Sequence, residues 1–189
     1  MESTGNAIPV LIAITGADNL QPYKQLLGVI NKRIEDYKNS ELKIALLQIR
    51  SSPDQTWNLK KGDAFCKEAK KQGADIALFP EMYNIGYSSV DFTKPDAEEK
   101  WKNLAVKQDS EFVRHFQNLA KKLDMAIVIT YLEDIGGSKY PRNSASLIDR
   151  HGKIVMTYAK VHTLDFFPFE NMMTPGDDFY VAELDTKAG

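Results

Sequence analysis

Two short apolar stretches decide the fold class: LKIALLQI at residues 42–49 and DIALF at residues 75–79. Each is a nearly continuous apolar run, which is typical of a strand that is buried on both faces of a sheet. Between them, SSPD at residues 51–54 offers helix-capping groups, and Gly73 offers a helix stop. The pattern therefore predicts a strand–helix–strand unit and an α/β fold.

The rest of the chain continues this alternation. In chain order we predict an amphipathic helix over about residues 109–123, strands over 125–131, 143–148 and 154–158 with a hairpin turn at 149–153, and a strand over 179–184. Residues 1–41 form an N-terminal extension with a predicted helix over about residues 20–37, and residues 42–189 form the main domain.

Composition excludes several classes of function. The 189 residues carry a net charge of −2, which does not indicate a nucleic-acid or anionic-membrane partner. No apolar run approaches the roughly 20 residues of a membrane helix. A single cysteine permits no internal disulfide, which favours a cytoplasmic location. The three histidines show no metal-ligand spacing and there is no glycine-rich phosphate loop, so we predict neither a metal nor a cofactor.

Two charged residues follow predicted strands. Glu81 comes directly after the strand at 75–79, where ligands collect in open α/β sheets. A partly desolvated carboxylate there has a raised pKa and can act as a general base, although from position alone an ordinary salt-bridged glutamate at a strand end is the more common case. Lys160 ends the strand at 154–158 and can stabilise developing negative charge, or can simply face solvent.

Four ordered segments resemble the nitrilase superfamily of carbon–nitrogen hydrolases. They are the opening strand at residues 42–48, FPEM at 79–82 preceded by GADI at 73–76, the stretch from NSA at 143–145 to YAKVH at 158–162, and Glu170 followed by TPGD at 174–177. The resemblance covers residues 42–189. It implies the four-layer αββα sandwich of that superfamily, present here in incomplete form.

The resemblance also implies a Glu-Lys-Cys triad. Glu81 would take the proton of the cysteine thiol, Lys160 would stabilise the oxyanion, and Glu170 would be a second carboxylate near the lysine. The substrate would be a small amide, nitrile or N-carbamoyl compound. Tyr83 and Asn84 begin a loop that we expect to border the substrate pocket, and the superfamily commonly assembles as homo-oligomers.

The cysteine of the triad is expected downstream of the TPGD segment, so we expect it to lie beyond Gly189 and residues 1–189 alone to be inactive. Cys66, the only cysteine in the chain, falls on a predicted helix and is expected to fill the core. A truncated, non-catalytic interaction module is the first alternative, because an incomplete sandwich exposes a sheet edge. A metal-dependent phosphoesterase of similar architecture, with Glu81 as a metal ligand, is the second.

Overall fold

The computed structural model describes residues 8–10, 42–87, 91, 93–164 and 170–186. The predicted helix over residues 20–37 lies outside these residues. Within them the strands are, in chain order, β1 (Ile8–Val10), β2 (Ile44–Leu46), β3 (Ile76–Leu78), β4 (Ala126–Glu133), β5 (Arg142–Ile148), β6 (Ile154–Ala159) and β7 (Ala182–Leu184). The helices are α1 (Gln55–Lys71), α2 (Ala97–Lys102) and α3 (Glu111–Leu123), with a 3-10 turn at Glu170–Met172.

Strands β2 to β6 form one mixed sheet in the order β2-β3-β4-β5-β6. The first three strands run parallel, and β4, β5 and β6 then alternate in direction. Strands β5 and β6 form the predicted hairpin. The α/β class is therefore confirmed. Strand β1 pairs antiparallel with β7, so this part of the N-terminal extension is joined to the far end of the described chain.

Local chemistry explains where α1 begins and ends. The Asp54 carboxylate accepts hydrogen bonds from the backbone N–H groups of Thr56 and Trp57, which have no partner inside the helix. Gly73 follows the helix with φ +84°, a left-handed conformation that glycine adopts without a steric cost. The helix predicted between the first two strands is therefore confirmed.

Helices α1 and α3 cover one face of the sheet. The apolar side of α3, with Phe112, Val113, Phe116 and Leu119, is buried as its spacing predicts. It packs in one core with residues of α1 and with alternate residues of β4, among them Tyr131. This face holds the main core and leaves the opposite face of the sheet for other contacts.

The opposite face is only partly covered by the described residues. Leu184 of β7 packs there against inner strands of the sheet. At the edge strand β2, by contrast, Ile44 is 49% exposed and Leu46 is 63% exposed. The prediction that residues 42–49 are buried on both faces is therefore wrong on this side. β2 is an edge strand, and β7 packs over the strands inside it.

Helix α2 was missed by the sequence pattern. Only Ala97 and Trp101 of its six residues are buried, so the apolar periodicity is too short to recognise. In the part of the chain that the structure describes, no helix is long and apolar enough to cross a membrane.

Candidate active site

Glu81 is presented by a sharp turn that follows β3. The backbone N–H of Phe79 still donates to Val128 on β4, and the chain then bends at Met82, whose φ is +55°. A left-handed conformation is costly for a residue with a β-carbon, so the surrounding contacts must hold it. Met82 is buried, and its carbonyl accepts a 2.7 Å hydrogen bond from the N–H of Gly86. The turn thus holds Glu81 just beyond the carboxyl end of β3.

Tyr83 and Asn84 anchor this turn to the rest of the fold. The Tyr83 hydroxyl donates to the backbone carbonyl of Asn58 on α1 at 2.8 Å. The side-chain oxygen of Asn84 accepts from the N–H of Leu132 on β4 at 2.9 Å. Both side chains are almost fully buried. These contacts explain how the turn is held, and a role of either residue in substrate binding stays a prediction.

Lys160 lies directly after β6, beside Asn143 of β5. The Lys160 N–H donates to the carbonyl of Asn143 at 2.8 Å. Asn143 shares its side of β5 with Ala145 and Leu147, which pack on the face opposite the helices. The carbonyl of Lys160 in turn accepts from the N–H of Gly176 at 2.9 Å, so the predicted TPGD segment lies against the end of β6.

Glu170 begins the 3-10 turn and is buried, with 3% of its side chain exposed. Its Oε1 accepts a 2.9 Å hydrogen bond from Lys160 Nζ, and its Oε2 accepts a 2.7 Å bond from the N–H of Leu164. Both carboxylate oxygens therefore have partners, as a buried carboxylate requires.

The three predicted charged residues meet at one point. Lys160 Nζ lies 3.2 Å from Glu81 Oε1 and 2.9 Å from Glu170 Oε1. Asn143 Nδ2 donates to the same Glu81 oxygen at 2.6 Å, and the Tyr87 hydroxyl also hydrogen-bonds the Glu81 carboxylate. We call these five residues the Glu81–Lys160 cluster.

The electrostatics of the cluster correct one expectation from the sequence. Burial alone would raise the pKa of Glu81, but the hydrogen bonds from Tyr87 and Asn143 and the charge of Lys160 hold that pKa below its ordinary value. The predicted raised pKa is therefore wrong. Burial would lower the pKa of Lys160, but the hydrogen bond to Glu170 and the charge of Glu81 raise it. Both groups are charged at neutral pH.

Tyr87 and Asn143 are the members of the cluster whose contact with Glu81 the sequence did not predict. Burial and the hydrogen bond to Glu81 raise the pKa of Tyr87, so its phenol remains a proton donor. The sequence offered one signal for each residue: Tyr87 lies in the loop after Glu81, and Asn143 begins the NSA segment. No periodic pattern marks either of them.

Cys66 is separate from the cluster's chemistry. It is fully buried within the helix-side core, beside residues of α3 and the sheet. Burial raises the pKa of its thiol to about 12. A thiol of that pKa is not ionised at neutral pH and is a poor nucleophile. The prediction that Cys66 fills the core is confirmed.

The cluster does not have the composition of a metal centre. Among the residues that the structure describes, no group of three or more His, Cys, Asp or Glu side chains is arranged to hold a metal ion. The Lys160 ammonium occupies the position between Glu81 and Glu170 where a cation would have to bind. A cationic side chain there disfavours the metal-dependent phosphoesterase alternative.

Comparison with known proteins agrees with the geometry. Residues 43–188 match the carbon–nitrogen hydrolase family, and the chain belongs to that family. Its relatives include the omega-amidase NIT2 of Mus musculus, 28% identical over 74% of this chain and 50% of that protein. The N-carbamoylputrescine amidase of Arabidopsis thaliana is 27% identical over 74% of this chain and 46% of that protein. The nitrilase-superfamily resemblance is thus confirmed, and the chain spans about half the length of these relatives.

The solved structures agree on the fold. An amidase from Nesterenkonia sp. is 26% identical with a TM-score of 0.57, covering 74% of this chain and 49% of that one. A mutant structure of the Nesterenkonia sp. AN1 amidase is 25% identical with a TM-score of 0.57, over the same shares of the two chains. It shows covalent addition of the acetamide moiety of fluoroacetamide at the active-site cysteine of that protein. The domain boundary at residue 42 and the oligomer expectation stay predictions.

Proposed function

We propose that the Glu81–Lys160 cluster is the acid–base half of an amide-hydrolysing site, completed by a thiol from outside residues 1–189. The observation that carries this proposal is the position of Lys160 Nζ, 3.2 Å from one carboxylate and 2.9 Å from another. The substrate is a small amide or an N-carbamoyl compound, which the names of the relatives support.

In the proposed reaction Glu81 accepts the proton of the thiol, and the resulting thiolate forms a bond to the carbonyl carbon of the substrate. The carbonyl oxygen takes up the negative charge, and the ammonium of Lys160 stabilises it. The tetrahedral intermediate then expels ammonia or an amine, which leaves with the proton held by Glu81. Water hydrolyses the thioester and releases the acid. Glu170 holds Lys160 in place throughout.

The thiol has to come from elsewhere because Cys66, the chain's single cysteine, is buried and has a pKa of about 12. The proposal therefore has two parts that can be tested separately. One part is the role of Glu81 and Lys160. The other is that residues 1–189 do not turn over substrate without a further thiol.

The first measurement is the intact mass of the polypeptide captured from its native source, compared with 21.3 kDa for residues 1–189. A larger mass with a cysteine beyond Gly189 is expected to accompany ammonia release from simple amides or N-carbamoyl compounds. In that polypeptide Glu81→Gln and Lys160→Ala should each reduce kcat by about 10²-fold or more, because each removes a group that acts in the transition state.

Helix α3 offers one matched control for each variant. Glu111→Gln and Lys122→Ala make the same chemical changes at exposed positions and should leave turnover unchanged. Normal turnover in Glu81→Gln would refute the role of the base. Ammonia release by residues 1–189 alone would refute the need for a further thiol.

A further inference from the structure

Asn143 touches both charged partners of the proposed site, with different atoms. Its side-chain Nδ2 donates to Glu81 Oε1 at 2.6 Å. Its backbone carbonyl accepts from the N–H of Lys160 at 2.8 Å. Asn143 is 6% exposed and lies on β5, whose neighbour β6 ends just before Lys160. One residue near the start of β5 therefore links the turn after β3 to the end of β6.

Two hydrogen-bond donors converge on one oxygen of the Glu81 carboxylate and restrict its rotation. Glu81 Oε1 accepts from both Asn143 and Lys160, so the carboxylate cannot rotate about its Cγ–Cδ bond without losing both hydrogen bonds. The charged and titratable groups that face Glu81 are Lys160 after β6 and Tyr87 in its own turn, with Glu170 behind Lys160. The Lys160 ammonium lies at the end of a long, flexible side chain, whereas a single methylene group separates the Asn143 amide from the backbone of the strand.

We propose that Asn143 is a positioning residue for the Glu81 carboxylate. Its side-chain amide fixes Glu81 Oε1, and its backbone carbonyl fixes the backbone of Lys160. The other oxygen, Glu81 Oε2, is thereby held in one direction as the oxygen that accepts the proton. The importance of this role for hydrolysis rests on the proposed function. The effect of Asn143 on the Glu81 carboxylate rests on the geometry alone. Positioned donors of this kind gain their effect by removing rotational freedom before the reaction begins.

The test is the titration of the Glu81 carboxyl carbon by NMR in ¹³C-glutamate-labelled residues 1–189, with the signal assigned through Glu81→Gln. Two variants remove the donor: Asn143→Leu, close in size and uncharged, and Asn143→Asp, nearly isosteric. In both, the ionised form of Glu81 loses a hydrogen bond, so its midpoint should move to higher pH. The shift should be larger in Asn143→Asp, because a second carboxylate lies within contact distance.

The control is Asn118→Leu, an equivalent change at an exposed position on α3, which should leave the midpoint of Glu81 unchanged. A general loosening of the fold would broaden many signals, whereas a lost donor moves the Glu81 midpoint in one direction. Both variants keep the backbone carbonyl that holds Lys160. If Asn143→Leu does not fold, Asn143→Ala decides the question, because it removes the donor without adding a charge.

An unchanged Glu81 midpoint in a folded Asn143 variant overturns the proposal. Its failure can be told apart from failure of the proposed function, because the titration needs no turnover. Absence of hydrolysis by the native polypeptide, combined with the upward shift, would leave the positioning role standing and refute only the activity. In an active polypeptide the same variants should move the acidic limb of the kcat/KM profile to higher pH, in parallel with the NMR midpoint.

Discussion

Replacing Gly176 with alanine tests how closely the segment after the 3-10 turn holds Lys160. A β-carbon built on Gly176 would lie 2.3 Å from the carbonyl oxygen of Ala159 and 2.9 Å from its carbonyl carbon. Both are backbone atoms, which cannot rotate aside as the end of a side chain can. Reaching even 3.0 Å from that oxygen requires one segment to shift by roughly 0.7 Å.

The displacement forced by the added β-carbon would act directly on Lys160. Gly176 donates its N–H to the carbonyl of Lys160 at 2.9 Å, so movement of either segment displaces the lysine backbone. The contact between Lys160 and Glu81 is already 3.2 Å, near the long limit of an N–H···O hydrogen bond. Overpacking of this kind costs about 1–3 kcal/mol of unfolding free energy. The pKa of Lys160 should also fall toward its ordinary value, because the lysine moves away from its carboxylates.

Urea denaturation gives the change in stability, and NMR titration of ¹³C-labelled lysine side chains gives the change at Lys160. The control is Gly137→Ala, where φ is +68° and no atom lies within 4 Å of the added β-carbon. That variant should lose about 1 kcal/mol from backbone strain but leave the Lys160 titration unchanged. If Gly176→Ala kept both the stability and the Lys160 titration of the wild type, the inferred close contact would be refuted.

Two further predictions concern groups outside the cluster. Cys66 should react with iodoacetamide at mildly alkaline pH only after unfolding in urea, since burial raises its pKa to about 12; rapid labelling of the folded chain would contradict this. Hydrogen bonds from Arg150 and His151 lower the pKa of Asp185 in the folded state. Ionised Asp185 therefore contributes its full stabilisation of the fold above the unfolded pKa of about 3.9, and this contribution is lost as the pH falls through the lower folded pKa. Asp185→Asn should therefore be less stable than wild type at neutral pH and approach it in acid, measured by urea denaturation, and an undiminished difference in acid would argue against the ion pair.

Most of the fold could be predicted from the sequence because its signals are local. The caps of α1, the apolar side of α3 and the hairpin at residues 149–153 each depend on residues within a few positions of one another. Predictions failed where the outcome depends on distant packing. The exposed side of β2 is an example, because nothing in LKIALLQI says that the strand lies at an edge.

The candidate site could also be predicted only in part: its charged residues could be identified from the sequence, but their environment could not. The resemblance pointed to Glu81, Lys160 and Glu170, and the fold brings both carboxylates within 3.2 Å of the Lys160 ammonium. The direction of the Glu81 pKa shift could not be predicted, because it depends on hydrogen bonds from Tyr87 and from Asn143, and Asn143 is 62 residues away in the sequence. Position at a strand end suggests desolvation, which raises a carboxyl pKa, but only the folded structure reveals the donors that outweigh it.

The lowered pKa of Glu81 is compatible with the proposed reaction once the two partners of Lys160 are considered together. Two carboxylates share one ammonium, so an oxyanion forming on the substrate must compete with them for Lys160. A proton taken by Glu81 removes one of the two negative charges and weakens its hold on the ammonium. Glu170, nearer at 2.9 Å and buried, keeps the lysine in place. Under the proposed function, proton transfer to Glu81 therefore makes Lys160 available to the oxyanion at the step in which the oxyanion forms.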